Sequence, residues 1–166
     1  MLQKKICMLG AFAVGKTSLV RRFVESIYSD VYQTTVGVKI DKKIAQTDDR
    51  EVALVLWDLY GEDDFQKTRW SYLKGASGYL LVADGTRRAT LDKAISLAQR
   101  AREEVGPLPF IFVMNKCDLA PDWDLEPDWE ARLAALNWTT LRSSAKSGEG
   151  VEEAFLQLTR KILAGS

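Results

Sequence analysis

Residues 10–18 read GAFAVGKTS and satisfy the pattern G-x-x-x-x-G-K-[ST]. This stretch constrains the fold on both sides. Residues 6–9 (ICML) form an apolar run that reads as a buried strand. Residues 19–24 (LVRRFV) read as the amphipathic start of a helix. Strand, glycine loop and helix in that order aim backbone N–H groups and a helix N-terminus at one point, where phosphate oxygens are favoured. Lys16 adds a point charge for the outer phosphates. Thr17 offers a hydroxyl to Mg2+, a hard cation that takes oxygen ligands. The competing reading is a plain glycine turn, which the flanking strand and helix disfavour.

The chain has 166 residues and is read as one domain, residues 1–166. With 46% hydrophobic residues it has the material for a full core. Lys plus Arg and Asp plus Glu balance at 23 each, so composition gives no reason to expect nucleic acid or an anionic membrane as main partner. The absence of histidine removes most zinc-type sites and histidine-based acid–base catalysis. Cys7 lies in the first apolar run and Cys117 follows a strand end, far away in sequence. Both are expected to stay thiols in a reducing cytosol. No apolar run approaches the roughly 18 residues of a membrane span. The first residues, MLQKK, are too short for a signal peptide, and the final LAGS has no cysteine for a lipid. A cytoplasmic protein with no lipid anchor within this chain is therefore expected, with peripheral membrane association left to partners or a removed tail.

Short apolar runs alternate with helical patterns. Strands are predicted at residues 5–9, 38–46, 52–58, 79–83 and 110–114, with an edge strand at 139–142. Residues 47–50 (TDDR) suit a hairpin turn. Helices are predicted at 16–27, 65–74, 91–105, 129–136 and 151–164. The order indicates an α/β fold, a mostly parallel sheet with helices on both faces. Ligands of such sheets bind outside the carboxyl ends of the strands. The polar residues just after each strand should therefore converge.

Asp58, at a buried strand end and three residues before Gly61, has the chemistry to hold Mg2+ through water, and the Gly61 N–H to bond a terminal phosphate. An aspartate that only caps a turn is the alternative. Asn115, Lys116 and Asp118 follow the next such strand as N-K-x-D. Ionised Asp118 only accepts, so it needs two donors side by side. Guanine offers N1–H and an N2 amino group, whereas adenine has a bare acceptor at N1. Ser144, Ala145 and Lys146 follow the last strand, where an Ala145 N–H suits the guanine O6. Thr35 lies in a polar loop between the first helix and second strand, and its hydroxyl would reach Mg2+ only when a terminal phosphate draws the loop in.

Taken together, these five segments resemble a Ras-superfamily small GTPase, most of all its Rab branch. The match includes Arg22, Phe23, Tyr28, Tyr32, Thr35, Val36, Gly37, Val38, Trp57, Asp58, Asn115, Lys116, Cys117, Asp118, Leu119, Ser144, Ala145 and Lys146. The resemblance implies a P-loop NTPase G domain with a six-stranded sheet whose second strand is antiparallel. It also implies a switch that binds GTP or GDP with Mg2+ and hydrolyses GTP slowly. Ala13, Val14, Gly15, Lys16, Thr17 and Ser18 would hold the phosphates. Thr17, Thr35 and, through water, Asp58 would hold Mg2+. Tyr28, Asn115, Lys116, Asp118, Ser144, Ala145 and Lys146 would surround the base. Gly61 would meet the γ-phosphate, and Lys16, Thr35, Gly61 and Glu62 would be the catalytic set. Segments 28–38 and 59–74 would be switches that meet effector, exchange-factor and activator proteins.

Two residues depart from the family. Glu62 stands where a glutamine usually orients the attacking water. It keeps an acceptor, loses the amide donor and adds charge near an anionic phosphate. Phe12 replaces a small loop residue, in space an arginine finger would use. Slow hydrolysis is one reading, lineage drift with compensation elsewhere is another, and a GTP-bound module with negligible hydrolysis is the alternative function. A kinase or ATPase is disfavoured by Asp118. Ile40, Trp57, Tyr72 and Leu73 lie on or beside the switches, where the resemblance implies that such residues meet effectors; for Ile40 and Trp57 the alternative is packing beneath the switches. The acidic loop 121–129 is expected to cover the sheet edge with its tryptophans, and Arg87-Arg88 to be a solvated helix start.

Overall fold

The computed structural model describes residues 1–24, 32–33, 38–59 and 70–165. Tyr28, Thr35, Gly61 and Glu62 lie outside the described residues, as does most of both expected switches. The elements run β1 (Leu2–Gly10), α1 (Lys16–Val24), β2 (Tyr32–Gln33), β3 (Val38–Gln46), β4 (Glu51–Leu59), a 3-10 turn (Trp70–Leu73) and β5 (Gly78–Asp84). They continue with α2 (Arg88–Val105), β6 (Phe110–Asn115), a second 3-10 segment (Cys117–Asp122), α3 (Trp129–Ala134), β7 (Thr140–Arg142) and α4 (Val151–Ala164).

The sheet order is β2-β3-β4-β1-β5-β6-β7. The six expected strands are all present, and the two-residue β2 adds a seventh beside β3. β1, β4, β5, β6 and β7 are mutually parallel, and β3 is antiparallel to β4. The β3–β4 hairpin closes where predicted: the Thr47 amide and hydroxyl both donate to the Arg50 carbonyl, at 2.9 and 3.0 Å. α3 stops short of the predicted residue 136, because the chain turns at Asn137, whose φ is 64°.

The central strands are continuously apolar because both faces are covered. Ile6 and Met8 of β1, Leu80 and Val82 of β5, and Ile111 and Val113 of β6 join Leu19, Val20 and Phe23 of α1 and Phe155 and Leu158 of α4. The alternate residues Cys7, Leu9, Tyr79, Leu81, Phe112 and Met114 face α2 and α3. Stacked Phe23 and Phe155, with centroids 4.1 Å apart, tie α1 to α4. Both cysteines are free thiols, and burial pushes Cys7 up to about 12. No helix among the described residues is long and apolar enough to cross a membrane.

Candidate functional site

Because β1, β4, β5, β6 and β7 are parallel, their carboxyl ends share one edge of the sheet. Gly10, Asp58, Asp84 and Asn115 stand at or near those ends. Asp84 and Asn115 are register partners, as are Gly10 and Val82.

The glycine loop is held by its carbonyls. Lys16 Nζ donates to the carbonyls of Gly10 (2.9 Å) and Ala11 (3.1 Å). Arg87 Nη2 donates to the Phe12 carbonyl at 2.9 Å, and Asn115 Nδ2 to the Val14 carbonyl at 2.9 Å. With these carbonyls engaged and Ala13 left-handed (φ 62°), the loop is of the kind that forms anion-binding concavities. Gly15, at φ 104°, is a glycine for two reasons: the conformation suits no side chain, and a Cβ would strike Asn115 Nδ2. Beyond it, Leu19 N–H bonds Gly15 O at 2.9 Å as α1 begins.

Thr17 Oγ1 donates to Asp58 Oδ2 at 2.5 Å. Asp58 is buried, and its Oδ1 has no hydrogen-bond partner among the described residues. Burial pushes its carboxyl up to about 6, against the Thr17 hydrogen bond and the charges of Lys16 and Lys39. A carboxylate with a spare buried oxygen beside a hydroxyl is a hard-oxygen pair that fits Mg2+. Among the described residues no cluster of three His, Cys, Asp or Glu exists.

On the other side of the loop, Asn115 Oδ1 accepts from Ser143 Oγ at 3.1 Å, and Asp118 Oδ1 accepts from Ser144 Oγ at 2.8 Å. Ser144 is fully buried, whereas Asp118 and Lys146 are exposed and Ala145 half-buried. Ser18 is also exposed, and no described contact joins it to the other residues. Lys116 is left-handed (φ 69°, ψ 40°) and its Nζ lies 2.8 Å from Asp84 Oδ2.

Arg87 and Arg88 stand exposed at the start of α2, as expected, and Arg87 in addition bonds Asp84 and the glycine loop, which the sequence reading did not foresee. Arg88 pairs with Glu126. Tyr72 and Leu73 are buried beneath the sheet end: the Tyr72 hydroxyl donates to the Trp57 carbonyl and accepts from Met8 N–H at 3.3 Å. The Lys5 ammonium covers the Trp57 ring, 3.7 Å from its centroid. Trp129 is buried against the α2 face, as the reading of the acidic loop expected. Asp84 was missed, although it ends a buried strand on the same rim and the strand-end rule points to it.

The Ras family profile matches residues 5–164. The chain is 35% identical to Ras-related protein Rab-4A of Rattus norvegicus over 161 residues, which span 96% of this chain and 74% of that protein. It is 34% identical to Ras-related protein Rab-4B of Homo sapiens, over 96% of this chain and 76% of the relative. Membership favours turnover of GTP over the alternative of a module with negligible hydrolysis. The chain belongs to the Ras family as a Rab-like small GTPase, a switch that binds GTP and GDP with Mg2+ and hydrolyses GTP.

Proposed function

We propose the following division of labour within the site, residues 1–166 acting as a single G domain. The amides of Ala13, Val14 and Gly15 bind phosphate oxygens, Ser18 contacts the α-phosphate, and Lys16 turns from the loop carbonyls towards the outer phosphates. Thr17 and, in the GTP state, Thr35 ligate Mg2+, with Asp58 holding it through water. The ion, when bound, neutralises charge that develops on the terminal phosphate. Asp118 reads the guanine edge, held by Ser144. Asn115, Lys116, Ala145, Lys146 and Tyr28 surround the base, and Gly61 donates to the γ-phosphate. The observation that carries this reading is that four loop carbonyls, at Gly10, Ala11, Phe12 and Val14, are taken up by hydrogen bonds from Lys16, Arg87 and Asn115.

Hydrolysis is slow in this reading. Glu62 replaces the amide that orients water with a carboxylate, and Phe12, 51% exposed, fills the approach to the loop. Effector, exchange-factor and activator proteins meet segments 28–38 and 59–74. The working place is the cytoplasm and, through partners or a tail, membrane surfaces. Single-turnover hydrolysis by Glu62→Gln tests the rate assignment. A gain of roughly tenfold or more is expected, given the water-orienting role of that amide. No gain discards Glu62 as the limiting residue.

A further inference from the structure

We infer that Asp84 and Arg87 are positioning residues that couple the phosphate loop to the base loop through one shared carboxylate. The inference rests on the nucleotide reading of the two loops given above.

Asp84 ends β5 between the two loops and is 1% exposed. Its Oδ1 accepts from the Thr86 amide (2.9 Å) and hydroxyl (2.7 Å). Its Oδ2 accepts from two cations, one on each side: Arg87 Nε at 3.1 Å and Lys116 Nζ at 2.8 Å. Arg87 is half-exposed and donates from Nη2 to the Phe12 carbonyl at 2.9 Å. The path from phosphate loop to base loop is therefore Phe12, Arg87, Asp84, Lys116, with every step a hydrogen bond to a charged group. A guanidinium presents Nε and Nη2 in one rigid plane, so it fixes the distance between its two acceptors. An ammonium has one donor centre and sets no such spacing.

The far end of the path is held as firmly. Lys116 occupies a left-handed conformation that L-residues avoid. Its side chain is pinned by Asp84, and its carbonyl accepts from Trp123 Nε1 at 2.9 Å. Trp123 lies against Gly85, where any Cβ would strike the indole, and Asp124 N–H bonds the Gly85 carbonyl at 2.9 Å. The acidic loop thus serves as the outer wall of this clamp. Asp84 orders the segment on both sides of itself, so loss of either cation loosens both loops. Nucleotide release then accelerates, although the proposed reading assigns neither Asp84 nor Arg87 a contact with the nucleotide.

Release of fluorescent GDP in Mg2+ from wild type, Arg87→Ala, Arg87→Lys, Asp84→Asn and the Arg87→Ala/Asp84→Asn double variant tests this. Arg87→Ala is expected to release about tenfold faster, the size of one charge-assisted hydrogen bond. Arg87→Lys is expected to recover less than half of that loss, because it spans only one acceptor. The double variant is expected to release no faster than Asp84→Asn alone. A purely structural role would lower the fraction of protein that binds GDP and leave release from the bound fraction unchanged; that result overturns the inference, as would single effects that multiply. Wild type that takes up no fluorescent GDP would overturn the nucleotide reading and this inference with it.

Discussion

Asn115 Nδ2 donates to the Val14 carbonyl at 2.9 Å, so the loop after β6 holds the loop after β1 directly. The amide is 2% exposed and its oxygen is already occupied by Ser143. Asn115→Ala leaves the Val14 carbonyl and the Ser143 hydroxyl without that partner. Each orphaned buried group costs about 1–3 kcal/mol, so GDP release is expected to rise by roughly 10-fold or more. Stopped-flow release of a fluorescent GDP checks this, and an unchanged rate would separate the two loops energetically.

The carboxyl of Asp84 gives a pH-dependent prediction. Burial alone would raise it, but Lys116, the Thr86 hydroxyl and amide, and Arg87 outweigh burial and hold it at about 2, below its ordinary 3.8. A depressed carboxyl contributes stability that is complete above the unfolded value and is lost as pH falls from there towards the folded one. The contribution is on the order of 1–2 kcal/mol. Urea midpoints measured between pH 5 and pH 2 are expected to fall less steeply for Asp84→Asn than for wild type.

Two phenylalanines separate packing from surface. Phe23 is buried and stacked on Phe155, so Phe23→Ala is expected to cost about 3–5 kcal/mol. Phe12 is exposed on the glycine loop, so Phe12→Ala is expected to change stability by no more than about 0.5 kcal/mol. Urea denaturation of both variants reads this contrast. Equal losses would mean that Phe12 packs in the folded protein.

The sheet was legible in the sequence because burial on two faces leaves uninterrupted apolar runs, as in residues 79–83 and 110–114. The loops at Gly10, Asp58 and Asn115 were legible as strand ends because each closes such a run, and the loop at Ser144 because it follows a short edge strand. The contacts of Arg87 were not legible, because an arginine at a helix start carries no mark of where its guanidinium turns. That direction depends on Asp84 and on the Phe12 carbonyl, which lies 75 residues away. Tyr72 was misread for a related reason: an aromatic near a partner surface and one buried under it look alike until the hydroxyl finds the Trp57 carbonyl. Trp123 was expected only to cover an edge. Its hydrogen bond to Lys116 became visible only once the chain brought the acidic loop against Gly85.

Base choice is the most direct check of the whole account. In the proposed reading an acceptor-only carboxylate at Asp118, which accepts from Ser144, would pair with the two donors of guanine and face an unpaired acceptor on adenine. Bound fluorescent GDP should be displaced by GTP and GDP at near-stoichiometric levels, and left in place by ATP at a roughly thousandfold excess. Equal displacement by ATP and GTP would contradict the account.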